Sequence, residues 1–163
     1  MALVVQINIS RGGLPKRAIG EAEVTALGIS GDGFNHPHIH GRPHQAVLLL
    51  TSEGIDELTA QGFPLFYGAL GENITTGGID RRSLRVGQRY RIGEAIVELT
   101  EVREPCASLN VYGASVQKAI YDAATAAGDS ASPLWGLSGF YASVIQPGVI
   151  HPGDPIQLLE ALA

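Results

Sequence analysis

The middle of the chain reads RVGQRYRI (residues 85–92), GE (93–94) and AIVELT (95–100). Apolar and polar residues alternate through both flanking stretches, and a glycine-containing dipeptide separates them. This pattern is typical of a β-hairpin, with one face of each strand buried. The second strand leads directly into the segment REPC (103–106), which carries the single cysteine of the chain. The hairpin therefore indicates a β-rich fold and also places Cys106 at the end of a strand.

Other extended stretches lie on both sides of the hairpin, at residues 1–10, 21–29, 46–50, 139–146 and 155–159. Two helices are predicted: a short one capped by Thr51 or Ser52, and a longer one over residues 115–127 with apolar residues at helical spacing. Residues 68–78 are predicted to form a glycine-rich loop. We expect a mainly β fold, a closed or nearly closed β structure with two helices packed outside it.

Length and charge restrict the functional classes. The 163 residues predict one domain over 1–163. With 11 basic and 16 acidic residues the net charge is −5, which argues against nucleic acid or an anionic membrane surface as a partner. No secretory signal or apolar membrane span is recognisable, and one cysteine excludes an intrachain disulfide, so a cytoplasmic location is expected.

Histidines form the first candidate site. If residues 36–44 were extended, His36, His38 and His40 would share one face, as ligands of Zn, Fe or Mn do in a cupin-like site. An acidic ligand is missing from residues 41–45, and Pro37 interrupts a regular strand. The alternative is that these are loop histidines without a metal.

Cys106 is the second candidate. A thiolate attacks electrophiles and binds soft metals, and nearby positive charge favours it; Arg103 lies three residues earlier. The alternative is a small, buried, unreactive side chain.

The glycine-rich loop is the third candidate. Glu72 and Asn73 offer hydrogen-bonding groups for a heterocycle, and the alternative is a loop that closes on itself through its own side chains. The loop matches neither a Walker motif nor a dinucleotide fingerprint.

Taken in order along the chain, a set of short motifs resembles the MOSC domain family, named for the C-terminal domain of molybdenum cofactor sulfurases. The similarity spans Ala18 to Leu159. The motifs are Gly31-Asp32, His40-Gly41, Ala46-Val47, Gly71-Glu72-Asn73, Val86-Gly87, Arg103-x-Pro105-Cys106, Pro147-Gly148 and Gly153-Asp154. The resemblance implies a β-rich fold built round a barrel, and a cysteine that either ligates molybdenum in the pterin cofactor or carries persulfide sulfur.

Residue roles follow from the same resemblance. Cys106 matches the family cysteine and would be the metal ligand, while Arg103 would keep the thiol deprotonated or bind the negative charge of the cofactor. The further residues implied to line the cofactor are His40, Gly41, Arg42, Glu72 and Asn73. The usual His-Gly-Gly of the family is His-Gly-Arg here, which adds a cation beside the site.

The resemblance implies a stand-alone protein that binds molybdenum cofactor (molybdopterin). It would act in the reduction of N-hydroxylated compounds or in sulfur transfer to the cofactor. A separate electron donor or a pyridoxal-phosphate cysteine desulfurase is the implied partner. Three alternatives remain: a metal-free persulfide carrier, a His-liganded cupin-like metal protein, and a binding module without chemistry.

Overall fold

The computed structural model describes residues 1–33 and 43–160. The described residues form three α-helices: α1 (Ser52–Ala60), α2 (Val116–Ile120) and α3 (Ala123–Ala126). They also form eleven strands: β1 (Leu3–Ile9), β2 (Arg17–Ile19), β3 (Ala22–Thr25), β4 (Gly28–Ile29), β5 (Val47–Thr51), β6 (Ile74–Gly77), β7 (Arg89–Ile92), β8 (Ala95–Val102), β9 (Phe140–Gln146), β10 (Gly148–Ile150) and β11 (Ile156–Glu160). The predicted mainly β fold is confirmed.

Eight strands make one sheet in the order β11-β7-β8-β9-β5-β6-β1-β2, and β10-β3-β4 make a second. All pairs in the large sheet are antiparallel except β5 and β6, which run parallel and are connected through α1. The predicted hairpin is confirmed as β7 and β8, with Ile92 opposite Ala95 across the turn.

The ladders of the described strands do not close into a ring. Between β1 and the segment before β11 there is an isolated bridge at Leu3 and Pro155, supported by hydrogen bonds from Ile156 N to Ala2 O and from Val4 N to Asp154 O, both 2.9 Å. These bonds bring the two parts of the sheet together without a continuous β1–β11 ladder, so the predicted closed barrel is not confirmed.

Strand β5 is buried on both faces and divides the core into two clusters. Val47 and Leu49 point into the first cluster, which includes Phe140 and Leu99. Leu48 and Leu50 point into the second cluster, which lies beneath α1 and α2 and includes Leu58, Leu70 and Ile120. A continuous apolar run is what a strand covered on both sides requires.

Helix α1 is confirmed with its cap. The hydroxyl oxygen of Thr51 accepts a hydrogen bond from Gly54 N at 3.0 Å, and Ile55 and Leu58 are buried. In the part of the chain that the structure describes, no helix is long and apolar enough to cross a membrane.

The predicted single helix over 115–127 is wrong, because Tyr121 and Asp122 adopt extended backbone conformations between α2 and α3. The side chain of Asp122 accepts a hydrogen bond from Thr125 N at 2.7 Å, so it caps a new helix instead of continuing the old one.

The predicted loop over 68–78 is also too long. Residues Ile74–Gly77 form β6, since β-branched side chains at 74–76 suit a buried strand beside β5. Residues 21–29 form the two strands β3 and β4 where one stretch was expected. Strand β7 begins at Arg89 because a turn at Gly87, with φ +94°, precedes it.

Gly139 connects the fold to the cysteine segment, because its carbonyl accepts a hydrogen bond from Arg103 N at 2.9 Å. Its φ is +93°, and a Cβ there would lie 2.3 Å from Leu50 Cδ1 and 2.7 Å from Leu49 O.

Gly139→Ala is therefore expected to lower the free energy of unfolding by at least about 2 kcal/mol, through backbone strain and overpacking together. Urea denaturation measures the change.

Gly128→Ala is the matched control. Gly128 has a similar φ of +82° but open space around its Cβ position, so only the backbone term applies, about 1 kcal/mol. Equal losses in the two variants would show that the close contact of Gly139 with β5 does not matter.

Candidate functional site

An irregularity in the pairing of β8 with β9 decides which residues face the site. Leu99 lies opposite Ala142 and Glu101 lies opposite Tyr141, which leaves Thr100 without a partner. A bulge of this kind reverses the in–out alternation of a strand. Leu99 accordingly packs in the first core cluster. Arg103, two residues after Glu101, lies on the side of the second cluster, where it contacts the carbonyl of Leu70.

Arg103 is held by backbone groups. Its Nη2 donates to Leu70 O at 2.9 Å and its Nη1 donates to Ser138 O at 3.3 Å, while the Ser138 hydroxyl donates back to Arg103 O at 2.7 Å. The side chain is buried, and burial lowers its pKa. The charges of Tyr141, Cys106 and Glu72 act in the opposite direction and raise the pKa. Among the described residues Arg103 makes no ion pair, so its positive charge is not neutralised by a bonded carboxylate.

Cys106 follows Arg103 at the start of a 3-10 turn over Ala107–Tyr112, and it is exposed. Its Sγ lies 2.7 Å from Ser108 Oγ. Partial burial by itself raises the pKa of the thiol, but hydrogen bonds from the Ser108 hydroxyl and backbone, together with the charge of Arg103, outweigh burial and hold the pKa below its usual value. The arrangement therefore favours a thiolate open to reaction.

The thiol opens into a cavity of about 1270 Å³. The charged side chains among the described residues that line the same cavity are Lys16, Arg85, Arg103, Glu101 and Glu104. The phenols of Tyr121 and Tyr141 line it as well. The cavity is large enough for a cofactor or a drug-sized ligand.

Asn73 lines this cavity but uses its side chain within the protein. Its Oδ1 accepts from Leu48 N at 3.0 Å, and its Nδ2 donates to Asp32 Oδ2 at 2.8 Å and to Asn8 O at 3.3 Å. These bonds join β1, β5 and the turn at residue 32. The amide therefore fixes the wall of the cavity and retains little capacity for a ligand.

Glu72 is fully buried and is not among the residues lining the cavity. Its Oε2 accepts from Gly68 N at 2.9 Å and from Thr75 Oγ1 at 3.0 Å, while Oε1 is buried without a partner. Burial raises the pKa of Glu72, although these hydrogen bonds and the charge of Arg103 act to lower it. Glu72 thus closes the loop that presents Leu70 O to Arg103.

Several predicted residues lie outside the described part of the chain: His36, His38, His40, Gly41 and Arg42. Of the remaining histidines, His44 is exposed in a 3-10 turn at Pro43–Gln45, and His151 is exposed within 3.7 Å of Glu21 and Asp154. Within residues 1–33 and 43–160, no group of three His, Cys, Asp or Glu side chains is placed to hold a metal ion.

Sequence reasoning did not single out Ser108, Tyr121, Tyr141 and Lys16, which all line the cavity. Ser108 lies two residues after Cys106, and the two side chains meet because the 3-10 turn begins between them. Tyr121 and Tyr141 could not be placed from the sequence, because the helix break and the bulge decide where they face. Lys16 pairs with Asp32 at 2.5 Å, and both are largely buried, a contact between distant loops that no local pattern indicates.

The model of the MOSC domain family matches residues 36–157, about three quarters of the chain. Protein YiiM of Escherichia coli is 30% identical over 149 residues, covering 88% of this chain and 62% of YiiM. The uncharacterized protein YflK of Bacillus subtilis is 29% identical, covering 80% of this chain and 55% of YflK. The chain thus spans less than two thirds of these relatives.

Solved structures agree with the fold. YiiM from Geobacillus stearothermophilus superposes with a TM-score of 0.74 at 26% identity, over 98% of this chain and 76% of that one. YUAD protein from Bacillus subtilis, at 19% identity, superposes with a TM-score of 0.69 over 96% of this chain and 94% of its own, which shows a shared fold. On the family match and the relatives together, the chain belongs to the MOSC domain family.

Proposed function

We propose that this protein binds molybdenum cofactor in the cavity, with the Cys106 thiolate as molybdenum ligand, and that it reduces N-hydroxylated compounds. The observation that supports the proposal most directly is the position of Cys106: a thiol with a lowered pKa, opening into a cavity of about 1270 Å³ in a MOSC domain. A cytoplasmic, reducing compartment would keep this cysteine free.

The residues present fit the cofactor. A thiolate is a soft ligand suited to molybdenum. Arg103 and Lys16 bring positive charge to the cavity wall, which suits an anionic pterin dithiolene phosphate, although Lys16 is paired with Asp32. The contribution of Asn73 would be to hold the wall, and Arg42, His40 and Gly41 would be added from the segment outside the described residues.

The chain itself prepares the thiolate. The hydroxyl of Ser108 donates to Cys106 Sγ, and the fixed guanidinium of Arg103 stabilises the negative charge. The bound cofactor would supply the two-electron chemistry at molybdenum. The net conversion is R–NHOH + 2 e⁻ + 2 H⁺ → R–NH₂ + H₂O, with the electrons delivered by a separate protein donor.

Molybdenum and pterin content test the proposal. Protein purified from a host that makes the cofactor is expected to contain both, and Cys106→Ala should reduce the molybdenum content to background because the metal loses its protein ligand. Elemental analysis and pterin fluorescence provide the measurement. Ser130→Ala, a change elsewhere in the cavity wall, is the control and should keep its molybdenum; the proposal fails if Cys106→Ala keeps it as well.

The thiol pKa gives a second prediction, made on cofactor-free protein. The lowered pKa means that Cys106 stays a thiolate below the pH at which an ordinary cysteine is protonated, so its alkylation by iodoacetamide should remain fast toward lower pH. Ser108→Ala removes a hydrogen bond to the thiolate, so the midpoint of the rate–pH profile should move to higher pH. An unchanged midpoint would mean that Ser108 does not stabilise the thiolate.

Exposure of Cys106 favours a second candidate function, a persulfide carrier without metal. A cysteine desulfurase persulfide would transfer its outer sulfur to the Cys106 thiolate, forming Cys106–S–SH and releasing the desulfurase thiolate. Mass spectrometry after incubation with such an enzyme and cysteine should then show one added sulfur on Cys106. An unmodified thiol, together with bound molybdenum in the purified protein, would decide against this candidate.

A further inference from the structure

We propose that Glu72 is held in the fold as a neutral carboxylic acid and is a positioning residue for Arg103: it fixes the loop that bonds the guanidinium without cancelling the guanidinium charge. The inference goes beyond the proposed function, because it concerns the protonation state of one residue and its effect on another. Both can be measured on protein that carries no cofactor.

The two carboxyl oxygens of Glu72 have different surroundings. Oε2 accepts hydrogen bonds from Gly68 N at 2.9 Å and from Thr75 Oγ1 at 3.0 Å. Oε1 is buried and has no hydrogen-bond partner in the part of the chain that the structure describes. The charge of an ionised carboxylate is shared by both oxygens, so ionisation would leave a charged oxygen in the interior without a donor. Burying such a charge costs far more than burying a neutral carboxyl group.

Arg103 acts on Glu72 but does not bind it. Burial raises the pKa of Glu72, and the charge of Arg103 lowers it by a smaller amount. Within residues 1–33 and 43–160, Glu72 makes no ion pair. Nη2 and Nη1 of Arg103 donate instead to the carbonyl oxygens of Leu70 and Ser138. The guanidinium is therefore fixed by neutral acceptors.

The other titratable groups near this loop do not supply a counter-charge. Tyr112, in the 3-10 turn after Cys106, is a phenol whose pKa is raised by burial and further by Glu72. Lys16 donates its backbone N–H to Gly68 O at 3.0 Å, but its Nζ pairs with Asp32. The described surroundings of Glu72 thus favour the protonated acid.

The loop that Glu72 closes is also the loop that holds Arg103. Gly68 N bonds to Glu72 Oε2, and Leu70, which lies between these two residues, presents its carbonyl oxygen to Arg103 Nη2 at 2.9 Å. A carboxyl oxygen has two lone pairs, so a neutral acid can accept both the Gly68 and the Thr75 hydrogen bonds through one oxygen. Closure of the loop therefore needs the carboxyl group but not its charge.

A neutral Glu72 changes what the cavity experiences. Arg103 lines the cavity beside Cys106, whereas Glu72 does not line it. An ionised carboxylate behind the guanidinium would oppose its field in a region of low dielectric constant, where charges interact strongly. Because the acid keeps its proton, the charge of Arg103 acts undiminished on an anionic group beside Cys106.

Infrared spectroscopy tests the protonation state directly. A protonated carboxylic acid has a C=O stretching band that ionised carboxylates lack, so the spectrum of the parent minus that of Glu72→Gln should show this band at neutral pH. Glu23→Gln changes an exposed side chain on β3 and is the matched control, whose difference spectrum should lack the band. Absence of the band from the Glu72→Gln difference would overturn the proposal.

Stability provides a second test through its pH dependence. The pKa of Glu72 is raised in the folded protein, so stability is lost as the pH rises from the ordinary glutamate pKa of about 4.3 toward the raised value. Glu72→Gln has no such proton to lose. The folding equilibrium constant of the parent relative to Glu72→Gln should therefore fall by up to about tenfold per pH unit in urea denaturation.

The matched variant Glu23→Gln should keep a constant ratio to the parent across the same pH range. A constant ratio for Glu72→Gln as well would contradict the neutral acid. Failure of Glu72→Gln to fold at neutral pH would also contradict it, because glutamine keeps the size and the acceptor oxygen of the protonated side chain.

Selectivity of alkylation tests the effect on Arg103. The rate of Cys106 alkylation by anionic iodoacetate, divided by the rate with neutral iodoacetamide at the same pH, reports the charge around the thiol. Glu104→Gln removes an exposed carboxylate from the cavity wall and should raise this ratio about twofold. Glu72→Gln should leave the ratio unchanged, since it removes no charge. An equal rise in both variants would show that Glu72 is ionised.

Molybdenum content separates this inference from the proposed function. Protein that binds no molybdenum but shows the infrared band of Glu72 would refute the proposed function and keep the neutral acid. Protein that binds molybdenum through Cys106 but lacks the band would do the reverse.

Discussion

The register of β8 against β9 is the constraint on which the site depends. The unpaired residue Thr100 lets one strand serve two environments: Leu99 before it packs in the core, whereas Glu101 and Arg103 after it face the cavity. A slip of one residue would bury a carboxylate and a guanidinium among aliphatic side chains, at a cost that no described neighbour offsets. Packing of the aliphatic core therefore determines the register of β8 against β9, and this register places the polar side chains of β8 in the cavity.

A buried polar network fixes the opposite wall of the cavity. Asn73 joins Leu48 on β5 to Asp32, and Asn8 on β1 donates to the carbonyl of Glu72 and to Thr75 Oγ1, both at 3.1 Å. These hydrogen bonds favour one arrangement of the loop, because breaking any of them would leave a buried polar group without a partner. The family motif at Gly71-Glu72-Asn73 thus has a structural explanation that does not require contact with a ligand.

Local patterns in the sequence predicted much of the fold. Alternation identified the β7–β8 hairpin, and Thr51 with Ile55 and Leu58 identified α1, since these signals act over a few residues. The break at Asp122 was missed because a side-chain cap competed with an otherwise suitable helical pattern. Cys106 and Arg103 were singled out from residue type and resemblance. Glu101 and Tyr141 were not, because a bulge has no reliable sequence signature and only pairing reveals which way a side chain points.

The bridge between β1 and residues 153–156 has a consequence for biosynthesis. Leu3 is synthesised about 150 residues before its partner Pro155. At roughly 5–20 residues per second, β1 has to wait on the order of ten seconds before this edge of the sheet can be covered. During that interval β2 and β6 can already pair with β1, but the backbone groups of Ala2 and Val4 that bond to residues 153–156 are open to wrong partners. A holding chaperone near the nascent chain would have its greatest effect on this strand.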